Sequence, residues 1–185
     1  MDAHHIHITG ASGAGCSTLG AALAARLGIA HLDTDTFYWK LTDPPFREKQ
    51  PEQTRVRLIA GAMENAQNNW VLSGSIGAWG APLIPRFDLV VFLYVPTDIR
   101  MARLRARETA RYGADAIAPG GWNYDETAYF LKWASGYDTG EYGGRSLPFH
   151  REWLKTLPCP VLELDGTEPT ETLTDRVCEA LKAAH

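Results

Sequence analysis

Apolar and polar residues alternate at the start of the chain and then change period. His5-Ile6-His7-Ile8 predicts a strand over 4–9. From Ser17 to Leu27 the apolar residues Leu19, Leu23 and Leu27 are spaced four apart, predicting an amphipathic helix that stops at Gly28. Ile29 to Leu32 reads as a second strand. Pro51 suits the first turn of a helix with Val56, Ile59 and Met63 on its inner face, and Asn68-Asn69 ends it. Trp70-Val71-Leu72 predicts a third strand and Ser73 to Gly80 a glycine-rich turn. Leu89 to Val95, seven consecutive apolar residues, has the pattern of a central parallel strand. Pro96 closes it and Thr97 is placed to cap the next helix. Helices over about 126–135, from Phe149 to Leu157 and from Thr170 to Ala184 follow, with a strand from Val161 to Leu164 between the last two. Strands alternating with helices predict an α/β fold: a parallel sheet covered on both faces, three layers in all.

Composition narrows this picture. A chain of 185 residues, 45% of them apolar, suffices for one buried core, so one domain over 1–185 is expected. A net charge of −4 and a pI near 5.8 offer a polyanion no global attraction, so nucleic acid is not the expected partner. No apolar run approaches the ~20 residues of a membrane span, and the basic-then-apolar layout of a secretory signal is missing, which points to the cytoplasm. Cys16, Cys159 and Cys178 are odd in number and far apart, favouring reduced thiols over a disulfide framework or a zinc site. His5 and His7 read as one face of a strand rather than as metal ligands.

The candidate chemistry starts between the first strand and its helix. Gly10-Ala11-Ser12-Gly13-Ala14-Gly15-Cys16-Ser17-Thr18 has the spacing of a phosphate-binding loop, which wraps backbone N–H groups around a polyphosphate at a helix N-terminus. Gly10, Gly15, Ser17 and Thr18 are in register, whereas Cys16 stands where a lysine normally bridges the terminal phosphates. Backbone N–H groups of residues 13 to 18 are expected to cradle phosphate, Ser17 to ligate Mg²⁺ and Thr18 to touch the α-phosphate. Cys16 is expected to stay a neutral thiol, because a thiolate there would repel the ligand.

Asp33 and Asp35, at the end of the second strand, are either cap and turn residues or the acceptor side of a site. Asp35 is the preferred base or acceptor contact, and Asp33 lies nearer the metal. Gly74 and Ser75 leave room for a substrate to approach backbone. Tyr38, Trp39 and Trp79 line an acceptor pocket or form an aromatic cluster; Arg55 and Arg57 hold an anionic group or are surface. Arg100, Arg103, Arg107 and Arg111 share one face of the helix after Pro96, with Arg100 and Arg111 expected to be solvated and paired with Asp98 and Glu108. From Gly113 to Arg145 glycine and aromatics dominate, the composition of a moving lid, whose Trp122 and Trp133 are expected to pack its small core.

On these motifs nearly the whole chain resembles the adenylate kinase-like group of P-loop kinases, which includes nucleoside monophosphate, shikimate and gluconate kinases. The resemblance implies five parallel strands in the order 2-3-1-4-5, ATP and Mg²⁺ as cofactors, an acceptor-binding region at about 33–69 and a lid at about 113–147. Val95-Pro96 followed by Arg103-Leu104-Arg105-Ala106-Arg107 matches the family's paired arginines, which implies that Arg103 lies against adenine and Arg107 reaches the phosphates. Arg145, with Arg151 as the alternative, corresponds to the lid arginines. Asp165-Gly166-Thr167 resembles the loop beside adenine. The chain departs from adenylate kinases in having Ser73-Gly74 where they place Asp-Gly; its Asp33 and Asp35 are closer to shikimate and gluconate kinases.

Two readings follow. In one, the protein transfers phosphate from ATP to a small hydroxyl-bearing or nucleotide acceptor, with Asp35, Arg107 and Arg145 catalytic. In the other it is a kinase-like module that binds nucleotide without turnover. The missing lysine leaves three routes: Lys40 swings in, the arginines Arg103, Arg107 and Arg145 supply the charge, or no transfer occurs.

Overall fold

The computed structural model describes residues 4–183. Five strands, β1 (His5–Gly10), β2 (Ala30–Asp33), β3 (Trp70–Ser73), β4 (Leu89–Tyr94) and β5 (Val161–Asp165), form one sheet in the order β2-β3-β1-β4-β5. Every neighbouring pair is parallel. This is the expected order, and each crossover carries helical structure, as parallel pairing requires.

Helix α1 (Cys16–Leu27) follows β1, α2 (Thr34–Tyr38) follows β2, and α3 (Glu52–Asn65) precedes β3. A 3₁₀ segment, Ala78–Arg86, leads to β4, after which come α4 (Thr97–Tyr112), α5 (Ala114–Ile117), α6 (Tyr124–Ser135), α7 (Leu147–Lys155), β5 and α8 (Thr170–Ala183). Ala184, the expected end of the last helix, lies outside the described residues.

The strand pattern divides the core into two layers. Ile6, Ile8, Val91 and Leu93 pack with Leu19 and Leu23 of α1 and Val177 of α8 on one face. Val90, Phe92, Leu72 and Trp70 pack with Ile59 and Met63 of α3, Leu83 and Leu154 on the other. Alternation in β1 sends His7 into this second layer, where it stacks on Phe87 with centroids 4.8 Å apart and donates from Nδ1 to the Leu72 carbonyl at 3.0 Å. A smaller cluster of Met101, Leu104 and Ala134 joins α4 to α6.

Some local expectations change. The turn predicted over 73–80 is shorter, because Ala78 already begins the 3₁₀ segment, where Pro82 and Pro85 fit a tight helix. Pro96, not Thr97, occupies the N-cap of α4; the Thr97 hydroxyl donates instead to Asp138 at 2.6 Å. Helix α7 begins at Leu147 because the Ser146 hydroxyl accepts the Phe149 N–H at 3.3 Å and Pro148 suits the first turn. Arg100 is not on a solvated face. It is 0% exposed and donates to the Val95 and Ala134 carbonyls, to the Thr97 hydroxyl and to Asp138. A cation that deep persists only when its donors are satisfied, and the turn after α6 supplies the anionic partner, Asp138.

Candidate active site

The loop after β1 opens onto a cleft of about 730 Å³. Gly10, Ser12, Gly13, Gly15, Cys16, Ser17 and Thr18 all line it. Gly13 and Gly15 have φ of 81° and 96°, conformations that side chains other than glycine's rarely adopt. A Cβ on Gly10 would lie 2.6 Å from the Leu93 carbonyl oxygen, so the loop packs directly on β4. Ala14 departs from its expected part in the cradle: it is buried outside the cleft wall, and its N–H donates to the Ala11 carbonyl at 3.1 Å. Ser17 and Thr18 are exposed in the first turn of α1, with their hydroxyls available to a ligand.

Cys16 is buried among core residues including Ile8 and Leu93, and its sulfur would lie 3.3 Å from a Cβ on Gly10. Burial pushes its pKa up to about 12, with the nearby Arg145 charge a smaller, opposing effect. At neutral pH it is a thiol, as expected, and its sulfur packs into the core beneath the loop.

The facing wall is built at the carboxyl end of β2. Asp33 Oδ1 accepts the Asp35 N–H at 2.9 Å and caps α2, so Asp33 does serve as a cap while also lining the cleft. Asp35 remains open to solvent through the cleft mouth, yet the surrounding walls remove enough hydration to raise its pKa. The Asp33 charge adds to that rise, whereas Arg145, Arg107 and Arg111 oppose it. Gly74 and Ser75 line the same wall. Ser73, standing where adenylate kinases have Asp, is buried and bonded to His31 Nε2 at 2.8 Å, turned away from the cleft toward α1.

Arginines form the third wall. Arg103 donates to the Gly166 carbonyl at 3.2 Å and to the Gly13 carbonyl at 3.4 Å, fastening α4 to the loops after β1 and β5. Arg107 and Arg111 both bond Glu108 Oε1, at 3.0 and 3.4 Å. Glu108 is buried and steers both guanidinium groups toward the cleft they line. Arg111 is exposed and paired with Glu108, as its stripe position suggested, and in addition lines the cleft. Its guanidinium also lies over Phe46, 4.4 Å from the ring centroid. Arg145, from the turn before α7, donates to the Ser12 hydroxyl at 2.5 Å and rests over Trp133 at 5.3 Å. Burial lowers the Arg145 pKa; Asp35 is the largest opposing influence.

Several expected contributors lie elsewhere. Arg151 pairs with Glu163 on β5 instead of reaching the loop, because α7 directs it along the sheet edge. Tyr38, Arg55 and Trp79 are outside the cleft wall: Arg55 is buried, donates to the Gln50 carbonyl at 2.6 Å and lies over the Tyr38 and Trp79 rings at 4.0 and 5.5 Å. That cluster braces α2 against α3 behind the cleft. Arg57 is exposed. Asp165 accepts the Thr167 N–H and hydroxyl at 2.9 and 2.7 Å, and neither Asp165 nor Gly166 lines the cleft. Trp122 is 63% exposed rather than packed in a small core, while Trp133 does pack beside Ala134.

A hairpin that the sequence pattern did not reveal closes the mouth. Trp39 and Lys49 form an antiparallel bridge, and Lys40 pairs with Glu48 at 3.0 Å. The enclosed residues Leu41, Thr42, Pro45 and Phe46 line the cleft together with Thr36, Trp39 and Lys40. Pro44 and Pro45 lie at its turn, and the pairing that folds it is tertiary.

A sequence model described as an AAA domain matches residues 6–127. The chain belongs to that AAA-domain family. This AAA-domain protein is also 44% identical over 179 residues to the uncharacterized protein YqaC of Bacillus subtilis (strain 168), covering 97% of this chain and 98% of the relative. Its fold is that of P-loop kinases. Shikimate kinase from Bacteroides thetaiotaomicron superposes with a TM-score of 0.60 at 18% identity, covering 98% of this chain and 99% of that one. An unliganded sugar kinase from Janibacter sp. HTCC2649 gives 0.55 at 17%, with 98% and 95% covered. Shikimate kinase from Acinetobacter baumannii in complex with shikimate gives 0.54 at 16%, with 98% and 94% covered. No helix among the described residues is long and apolar enough to cross a membrane.

Proposed function

We propose that this AAA-domain protein is an ATP- and Mg²⁺-dependent kinase acting on a small hydroxyl-bearing or nucleotide acceptor, working as one unit over residues 1–185. The observation that carries this reading is the convergence on Asp35. The carboxylate lies in one cleft with the loop at residues 10–18 and is flanked electrostatically by Arg107, Arg111 and Arg145. A base beside a phosphate cradle ringed by cations suits transfer to a hydroxyl better than transfer to an already ionised phosphate.

In this reading the backbone of Gly13 and residues 15–18 holds the polyphosphate, with its charge favoured at the start of α1. Ser17 and Asp33, an exposed hydroxyl and a carboxylate that both line the cleft, form a hard-oxygen donor set that fits Mg²⁺. The metal, when bound, supplies charge neutralisation at the terminal phosphates. Asp35 accepts the acceptor's hydroxyl proton, and its raised pKa makes it the stronger base. The acceptor oxygen bonds the γ-phosphorus, the bridging P–O bond breaks, and ADP leaves. Arg107 and Arg145 stabilise the transferring group as residues 113–147 close as a lid and exclude water. The acceptor region spans about 33–69, with Asp33, Asp35, Gly74 and Ser75 at its contact face. Arg103, Asp165 and Gly166 border the nucleobase. The protein acts in the cytoplasm, without nucleic-acid or membrane partners.

The second reading is a nucleotide-binding module without turnover, favoured by Cys16 packing into the core and by Ser73 being committed to His31. Titrating ATP and GTP by calorimetry, then following Mg²⁺-dependent ADP formation with nucleosides, nucleotides and small polyols, separates the two. Turnover with any acceptor that Asp35→Asn abolishes supports the kinase. Tight binding with no turnover on any acceptor supports the module, and no binding of either nucleotide overturns both.

A further inference from the structure

We infer that Arg145 takes the place of the loop's absent lysine, and that binding of the terminal phosphates is thereby coupled to the lid. This deepens the nucleotide-binding reading and rests on it. Among the described residues, four cationic groups lining the cleft besides Arg145 are engaged with other partners. Lys40 pairs with Glu48 on the hairpin, Arg103 with the Gly166 and Gly13 carbonyls, Arg107 with Glu108 through both Nε and Nη2, and Arg111 with the same Glu108. Among these cations of the described residues, Arg145 alone bonds a side chain of the phosphate loop, the Ser12 hydroxyl at 2.5 Å. Its charge is felt both at Cys16, the lysine position itself, and at Asp35 across the cleft.

The substitution at residue 16 and the placement of Arg145 complement each other. A lysine at the start of α1 would extend over the loop to the phosphates; Cys16 instead turns its sulfur into the core beside Gly10. The loop is reached at Ser12 by the guanidinium of Arg145, 133 positions further along the sequence. Trp133 supports one face of it at 5.3 Å. The segment carrying it is anchored to α4 through Asp138, which bonds buried Arg100, and to α7 through Tyr137, whose hydroxyl meets His150 at 2.6 Å. Lysine in the loop would give a phosphate site complete without the lid. Arginine from the lid makes a site that is complete only when residues 136–146 sit over the loop, so a triphosphate stabilises that arrangement and a monophosphate does not.

Calorimetric affinities for ATP and AMP with wild-type protein, Arg145→Gln, Cys16→Lys and the double variant, combined with amide hydrogen exchange over 136–146, test the assignment. Charge-assisted hydrogen bonds predict that Arg145→Gln weakens ATP binding by about 10- to 100-fold and AMP binding by less than about 3-fold. In wild-type protein ATP protects 136–146 from exchange and AMP does not. Provided circular dichroism shows it folded, the double variant regains most of the ATP affinity without regaining that protection, because the charge then comes from the loop itself. Arg145→Lys covers the case in which lysine at residue 16 disrupts the core: it keeps ATP affinity within about 10-fold of wild type and keeps the protection. An unchanged ratio of ATP to AMP affinity in Arg145→Gln overturns the assignment. So does ATP binding that leaves exchange over 136–146 untouched. If wild-type protein binds neither ATP nor GTP, the nucleotide reading itself has failed, and that result is distinct from both.

Discussion

Arg47 donates to Asn123 Oδ1 at 2.5 Å, joining the 39–49 hairpin to the segment preceding α6 across the cleft mouth. Asn123 is buried and also donates to the Thr127 hydroxyl at 3.1 Å, so its orientation is held from the α6 side. Glu126 lies 3.7 Å from the same guanidinium. The pair acts as a latch between the two sides of the entrance.

Replacing Arg47 with alanine should release the hairpin without disturbing the phosphate loop. Amide exchange over 40–49 is expected to rise while ATP affinity changes by less than about 2-fold, and stability falls by about 1 kcal/mol, the worth of one hydrogen bond. Unaltered exchange in that segment would show that the Lys40–Glu48 pair and the Trp39–Lys49 bridge suffice to hold it.

Asp35→Asn should abolish turnover and, in the absence of ligand, make the folded protein more tolerant of neutral pH. Because the folded-state pKa of Asp35 lies above its ordinary value of 3.8, the unfolded chain releases this proton first as pH rises. Stability contributed by the neutral acid is therefore fully present below about pH 4 and declines until the folded group has itself ionised. Urea unfolding of both proteins from pH 3 to 7 checks this. The difference in stability in favour of the variant should grow across that interval, and a difference independent of pH contradicts the environment described for Asp35.

Removing the buried Arg100 should cost far more than removing an exposed arginine of the same helix. Arg100→Leu loses the bonds to the Val95 and Ala134 carbonyls and leaves Asp138 without its cationic partner, a change expected to cost roughly 3 kcal/mol. Arg105, exposed on the same helix, should cost less than about 0.5 kcal/mol when replaced by alanine. Comparable losses in the two variants by chemical denaturation would remove the structural role assigned to Arg100.

Two histidines should make the fold sensitive to acid. Burial lowers His7 to about 4 and His150 to about 3, so both stay neutral in the folded chain while the unfolded chain takes up protons below about pH 6.5. Stability is thus lost as pH falls from that value toward the folded pKa values, and His7 alone accounts for roughly 3 kcal/mol. Ring resonances of both histidines should remain those of neutral imidazole at pH 5. A midpoint near 6 for His7 would contradict its position between Phe87 and Trp153.

The parts that local periodicity controls were legible. The apolar run Leu89 to Val95 could be satisfied only by burial on both faces, and the alternation of His5 to Ile8 could belong only to a strand. The loop was legible because its glycines answer a backbone requirement that spacing alone expresses. Arg100 was assigned opposite to its position, and the place of Arg111 in the cleft wall was missed, since helical spacing reports which residues share a face but not what packs against it. Arg100 is buried because the turn after α6 covers it, and Arg111 enters the cleft because Glu108 is buried beside it and Phe46 arrives from the hairpin.

The sequence by itself determined the order of elements, the phosphate loop and the absence of lysine at residue 16, all of which follow from composition and spacing over short stretches. Tertiary structure alone decided that Arg145 bonds the Ser12 side chain of that loop, that Tyr38, Arg55 and Trp79 brace the wall from behind instead of lining it, and that a hairpin latches to the segment before α6. The physical reason is distance along the chain. A guanidinium at residue 145 and a hydroxyl at residue 12 meet because the packing of α4, α6 and α7 brings them together, and no local pattern encodes that meeting.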